Sequence, residues 1–178
     1  MHFPESEENC IIARNRFVFD EFFFFLLSMQ LSKENTQKLK NEFTFAEDSF
    51  VEDLMNHLPY ELTSAQKRAV AQIRSDLREA CIMQRLVQGD VGSGKTILAF
   101  LAMIMTAENG YQSALMVPTE VLARQHYESL CTLLKENNLT EYNPRLLTGS
   151  TKAKERREIY ASLEDGSCKM VIGTHALI

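Results

Sequence analysis

Gly89-Asp90-Val91-Gly92-Ser93-Gly94-Lys95-Thr96 fits the pattern GxxxxGK[ST], and each residue type in it has a task in holding a polyphosphate. Glycines let the backbone wrap closely around phosphate oxygens in conformations that other residues resist. Successive amide N–H groups then form a concave nest for anions. A helix starting near Lys95 points its partially positive N-terminus at the same oxygens. The Lys95 ammonium reaches the β- and γ-phosphates, and the Thr96 hydroxyl is a ligand for Mg²⁺. The competing reading is a glycine-rich turn followed by a chance Lys-Thr. It fits less well, because an apolar run precedes the loop and an apolar helical stretch follows it.

The flanking pattern predicts the elements that position this loop. Thr63–Ala80 reads as a helix, Met83–Gln88 as a strand and Thr96–Ala107 as a buried helix. After the Asn109-Gly110 turn, Ser113–Val117 is a short apolar strand ended by Pro118. Thr119 is placed to cap a helix running to about Glu136. Arg145–Leu147 and Lys169–Ile172 read as further strands, separated by the loop Thr148-Gly149-Ser150, a helix over Ala153–Leu163 and a turn at Asp165-Gly166. Strands alternating with helices of this length predict an α/β fold with a parallel sheet. Such sheets bind ligands at the C-terminal ends of their strands. The glycine-rich loop, Pro118-Thr119, Thr148–Ser150 and Gly173–His175 are therefore expected along one edge.

The N-terminal third has a different character. Residues 5–30 are rich in helix formers, with Pro4 just ahead and Phe22–Phe25 in a row. The phenylalanines suit packing against a neighbouring domain. The apolar run Phe22–Leu27 is too short to span a bilayer. Residues 31–58 are polar, then mixed. Pro59 marks a boundary, dividing a helical extension, 1–58, from an α/β portion, 59–178.

Charge follows the same division. The chain of 178 residues is 45% apolar and carries a net charge of −5. Residues 1–60 hold 11 acidic and 5 basic residues, and residues 61–178 hold 13 and 14. A clamp that grips nucleic acid by charge alone is normally basic, so that class is disfavoured. A motor that lets a strand slide has no such need. Cys10, Cys81, Cys131 and Cys168 form no CxxC pair and read as ordinary thiols of a reducing compartment. With an acidic start lacking a basic n-region, the chain is expected to be cytoplasmic.

Five further segments carry a resemblance. They are Leu58-Pro59-Tyr60-Glu61-Leu62-Thr63-Ser64-Ala65-Gln66, Met83–Thr96, Val117-Pro118-Thr119-Glu120-Val121-Leu122-Ala123-Arg124-Gln125-His126, Leu147-Thr148-Gly149-Ser150 and Ile172-Gly173-Thr174-His175-Ala176-Leu177-Ile178. In this order and spacing they resemble the RecG branch of superfamily 2 helicases. The opening His2-Phe3-Pro4-Glu5-Ser6 resembles the start of that family's helix between its DNA-binding wedge and its motor.

The resemblance implies an incomplete RecA-like P-loop domain preceded by a helical linker. It implies ATP and Mg²⁺ as cofactors, and branched or forked DNA as the partner of a monomeric helicase in recombination and repair. Gln66 would read the adenine edge, since its amide both donates and accepts. Thr63-x-x-Gln66 is equally a capping box. Tyr60 would lie beside the base or in the core. Pro118, Thr119, Thr148, Gly149, Ser150, Thr174 and His175 would meet the DNA backbone. Lys152, Lys154, Arg156 and Arg157 form a basic run that also suits a solvated face.

The family's Asp-Glu-x-His motif, which completes the Mg²⁺ site, falls beyond Ile178, so this stretch is expected to bind nucleotide without hydrolysing it, and to expose an apolar strand edge. Three other readings are set beside it. One is the transcription-coupled repair translocase Mfd, which usually has an aromatic residue where Ser93 stands. Another is a P-loop ATPase or kinase of a different class. The third is a non-catalytic module that binds a partner through the Phe-rich helix.

Overall fold

The structure, a computed structural model, describes residues 6–37, 40–43, 45, 46 and 50–178, with side chains omitted for 33–37. The His2–Glu5 part of the opening, including Pro4, lies outside the described residues. The described chain divides into two compact units.

In the first unit, helix α1 spans Glu7–Gln37. Its start is held by Ser6, whose hydroxyl accepts from the Asn9 N–H at 3.2 Å and whose carbonyl accepts from the Cys10 N–H. The helix runs beyond the predicted end at residue 30. Phe22–Phe25 are exposed, and Phe19 stacks on Phe23 at 6.1 Å. In the same unit Lys40 bridges Cys81 in antiparallel fashion.

The second unit carries the sheet. Strands β1 (Ser113–Met116), β2 (Arg145–Leu147) and β3 (Met170–Gly173) form a parallel sheet in the order β1-β3-β2. Its register places Met116 and Leu147 on either side of Gly173. The central strand β3 is wholly buried. Successive side chains of a strand point to opposite faces. Met170 and Ile172 accordingly enter the main core, while Val171 joins Leu147 and Ile159 on the other face.

The main core is supplied by four helices: α2 (Phe50–Asn56), α3 (Ser64–Arg78), α4 (Lys95–Glu108) and α5 (Glu120–Glu136). Helix α6 (Ala153–Glu164) covers the opposite face through Ile159. Helix α4 is nearly apolar throughout, with Leu101, Ile104 and Met105 fully buried, so it forms a rigid floor under the residues at its start. Tyr142 donates its hydroxyl to the Glu108 carboxylate at the far end of α4. Two features escaped the sequence pattern: α2, which buries Val51 and Leu54, and a 3₁₀ turn at Thr140–Tyr142.

One predicted element is corrected. Met83–Gln88 forms no strand. Strands are held by ladder bonds to a neighbour, and β1, β2 and β3 pair only with one another among the described residues. The segment leaves Leu86 89% exposed. It is fastened by a side chain instead: the Arg85 guanidinium grips both oxygens of Asp76 on α3, at 2.6 and 2.9 Å, and donates to Gln72. No described helix is long and apolar enough to cross a membrane.

Candidate nucleotide and nucleic-acid site

The glycine-rich loop turns into α4 through Gly94, which takes a left-handed conformation, as does Gly92 (φ +76° and +82°). A side chain at Gly94 would be strained twice over, since its Cβ would lie 2.4 Å from the Gln66 amide nitrogen. Lys95 folds over the loop: its ammonium donates to the carbonyls of Gly89 (2.7 Å) and Asp90 (2.6 Å), with the Ser93 hydroxyl at 3.4 Å. The ammonium is thus held against the loop's own carbonyls while the residue stays exposed. Thr96 follows in the first turn of α4, half-buried, and Asp90 and Val91 stand exposed at the loop's tip.

Of the two roles the sequence offered for Gln66, adenine contact and helix capping, the second is seen in the structure, together with a tie to the glycine-rich loop. The capping box is formed: Thr63 Oγ1 accepts from the Gln66 N–H at 3.2 Å, and Gln66 Oε1 accepts from the Thr63 N–H at 2.8 Å. The amide nitrogen meanwhile donates to the Ser93 carbonyl at 3.0 Å. The start of α3 is thereby tied to the phosphate loop. One amide proton and one lone pair of Oε1 are left over.

A cleft of about 580 Å³ opens beside this tie. Its walls include Tyr60, Gln66, Gly92–Gly94 and Thr96, together with Gln125 and His126 from α5. Tyr60 is 53% exposed and belongs to the cleft rather than to the core. Gln125 and His126 were assigned no role from the sequence. Their only signal was membership of the segment beginning at Val117.

The second group of residues sits at the C-terminal edge of the sheet. Parallel strands in register end together, so Pro118-Thr119, Thr148–Ser150 and Thr174-His175 emerge side by side. Thr119 caps α5, accepting from the Leu122 N–H at 3.3 Å. Thr148 is buried, and its N–H donates to Thr151 Oγ1 at 2.9 Å. Gly149 and Ser150 are exposed, as is His175, which begins a 3₁₀ turn over His175–Leu177. Of the basic run, Arg156 is half-buried and donates to the Thr148 carbonyl at 3.0 Å, while Lys152, Lys154 and Arg157 face solvent.

No sheet strand leads into the phosphate loop, because Met83–Gln88 is not part of the sheet. Helix α5 connects the two groups. Its N-terminus borders the sheet edge, and Gln125, His126 and Ser129 line the nucleotide-sized cleft. At that N-terminus the Glu120 carboxylate accepts from the Ser150 hydroxyl (2.6 Å) and N–H (3.1 Å). The Ser150 hydroxyl foremost, then its N–H and the Arg124 charge, hold the Glu120 carboxyl below its ordinary range, against a smaller upward push from desolvation.

A glycine-rich loop at a helix start, beside a cleft, on a parallel α/β scaffold is the layout of a P-loop nucleotide-binding domain. The DEAD/DEAH box helicase family model matches residues 63–178, and the chain belongs to that family. Along its full length the chain is similar to bacterial RecG ATP-dependent DNA helicases. It is 46% identical to that of Synechocystis sp., 44% to that of Staphylococcus aureus and 42% to that of Bacillus subtilis. It spans only 21% of the first and 26% of the other two.

Among solved structures, the DEAD-box helicase Mss116 bound to ssRNA and UDP-BeF shares the fold at a TM-score of 0.55. The identity is 20%, over 76% of this chain and 29% of that one. A hypothetical ATP-dependent RNA helicase from Sulfolobus tokodaii gives 0.51, at 17% identity over 72% and 34%.

Proposed function

We propose that the chain is the nucleotide-binding portion of a RecG-type ATP-dependent DNA helicase, a cytoplasmic, monomeric motor that remodels branched DNA and stalled forks in recombination and repair. Residues 1–58 act as a linker, apart from α2, whose Val51 and Leu54 pack into the main core, and 59–178 as part of the first motor domain. The observation that carries the reading is the Gly89–Thr96 loop seated at the N-terminus of α4, tied by Gln66 and opening on a cleft.

ATP places its phosphates in this loop, where the backbone N–H groups and α4 meet their charge. Lys95 exchanges the Gly89 and Asp90 carbonyls for phosphate oxygens. Tyr60 and the spare donor and acceptor of Gln66 meet the adenine. Thr96 fits the Mg²⁺ expected with a nucleotide, because its hydroxyl follows directly on Lys95. No group of three or more His, Cys, Asp or Glu suited to a metal occurs among the described residues. A single hydroxyl suits an ion held mostly by phosphates and water. When bound, Mg²⁺ neutralises phosphate charge.

The DNA backbone runs along Pro118, Thr119, Gly149, Ser150, Thr174 and His175, whereas Thr148, expected there from the sequence, is buried and supports the turn from beneath. Exposed hydroxyls and helix-start amides there suit phosphate oxygens.

The test is a titration of the chain with labelled single-stranded DNA, with and without Mg-ATP. Saturable binding that weakens with salt and changes with nucleotide is expected. A folded chain that binds neither DNA nor ATP contradicts the proposal.

A further inference from the structure

We infer that Glu120 is a positioning residue for nucleic-acid contact: its carboxylate joins the N-terminus of α5 to the Thr148–Thr151 turn and sets the two phosphate-facing segments in one register. The inference rests on the proposal that this edge meets a nucleic-acid backbone.

The geometry carries it. One oxygen of Glu120 accepts the Ser150 hydroxyl at 2.6 Å and the other accepts the Ser150 N–H at 3.1 Å. Both the backbone and the side-chain rotamer of Ser150 are therefore fixed from a residue 30 positions earlier in the chain. The fit is close: a Cβ at Gly149 would stand 3.1 Å from Glu120 Oε1. The hold continues inward. Ser150 Oγ lies 3.1 Å from the hydroxyl of buried Thr148, and Arg156 on α6 anchors the Thr148 carbonyl. Glu120, Ser150, Thr148 and Arg156 thus form one chain of contacts from α5 to α6.

A carboxylate beside a phosphate path would ordinarily repel the strand. Here Arg124, one turn along α5, stands 3.5 Å from the Ser150 hydroxyl and offsets that charge. An acidic residue in the first turn of a helix also favours the helix dipole. That effect alone would need no partner at Ser150, whereas both carboxylate oxygens are committed to this one residue.

The experiment compares Glu120→Ala, Glu120→Gln and Ser150→Ala in the full 178-residue chain, using a labelled single-stranded oligonucleotide, ATP and a thermal melt. Glu120→Ala is expected to weaken DNA binding by about tenfold, the scale of one hydrogen bond to a charged group. It leaves ATP affinity unchanged and keeps the slope of log affinity against log salt, since a carboxylate releases no counterion from DNA. Glu120→Gln restores binding, because its amide still accepts from the Ser150 N–H and donates to the hydroxyl. Ser150→Ala weakens binding as well. If Glu120→Ala does not melt cooperatively, the glutamine and alanine variants at 120 and 150 decide through the same split. Unchanged DNA affinity in Glu120→Ala overturns the inference, as does tighter binding in both Glu120 variants, which would mark the carboxylate as a mere repellent. A folded wild-type chain that binds no DNA contradicts the proposed nucleic-acid edge itself, and the inference falls with it.

Discussion

The side-chain nitrogen of Gln66 lies 3.0 Å from the carbonyl oxygen of Ser93, a hydrogen bond that joins the start of α3 to the phosphate loop across 27 residues of sequence. With the capping box formed by the same side chain, helix capping and loop positioning converge on one residue, the one proposed to read the base. Gln66→Ala keeps the Thr63 cap but loses both side-chain bonds of Gln66, and is therefore expected to cost about 1 kcal/mol of stability, the net scale of such hydrogen bonds. It should also weaken ATP binding and erode any preference for ATP over GTP. Urea unfolding and titrations with both nucleotides check this. Unchanged selectivity would leave Gln66 with its structural duties only.

Gly94→Ala tests how far the loop depends on its backbone. The left-handed conformation costs a non-glycine residue about 1–2 kcal/mol. The added methyl would also displace the Gln66 amide, 2.4 Å from its Cβ. Nucleotide affinity should fall more than that of Gly110→Ala, a second left-handed glycine with nothing within 4 Å of its Cβ. Equal affinities would mean that the Gln66 tie is dispensable.

Arg85 and Asp76 give a third prediction. Their two-pronged bond fastens a segment that has no ladder. Arg85→Ala should speed amide hydrogen exchange across Met83–Gln88 and weaken nucleotide binding. Arg85→Lys should recover only part, since an ammonium cannot match both oxygens at once. Exchange rates equal to wild type would show that other contacts hold the segment.

Tyr142 sets an alkaline limit. Burial foremost, then its bond to Glu108, raises its pKa above the ordinary 10.0. Folding thus favours the protonated phenol, and its contribution is complete below pH 10 and lost as the pH climbs through the raised value. The melting temperature of wild type should fall in that window relative to Tyr142→Phe. Parallel curves would contradict the assignment.

The parts of this architecture legible in the sequence were those written in local pattern. The capping of α5 by Thr119, the start of α4 at Lys95 and the three strands of the sheet were read from adjacent residues. Helix α2 was not, because seven residues are too few to show a helical period. Met83–Gln88 has the composition of a strand, but strands exist only in pairs, and composition does not say whether a partner is at hand. Glu120–Ser150 and the cleft wall at Gln125 and His126 were invisible for a different reason: they depend on which loops the parallel register brings together.

The central claim is that Gly89–Thr96 binds the phosphates of a nucleotide, and the most direct measurement is a calorimetric titration of Mg-ATP into the wild-type chain and into Lys95→Ala, with melts of both. Saturable binding by the wild type, lost by about 1.5–3 kcal/mol or more in a variant that melts normally, is the predicted result, that being the scale of a hydrogen bond to a charged group. Equal affinity in the two chains, or no heat of binding from a folded wild type, would contradict it.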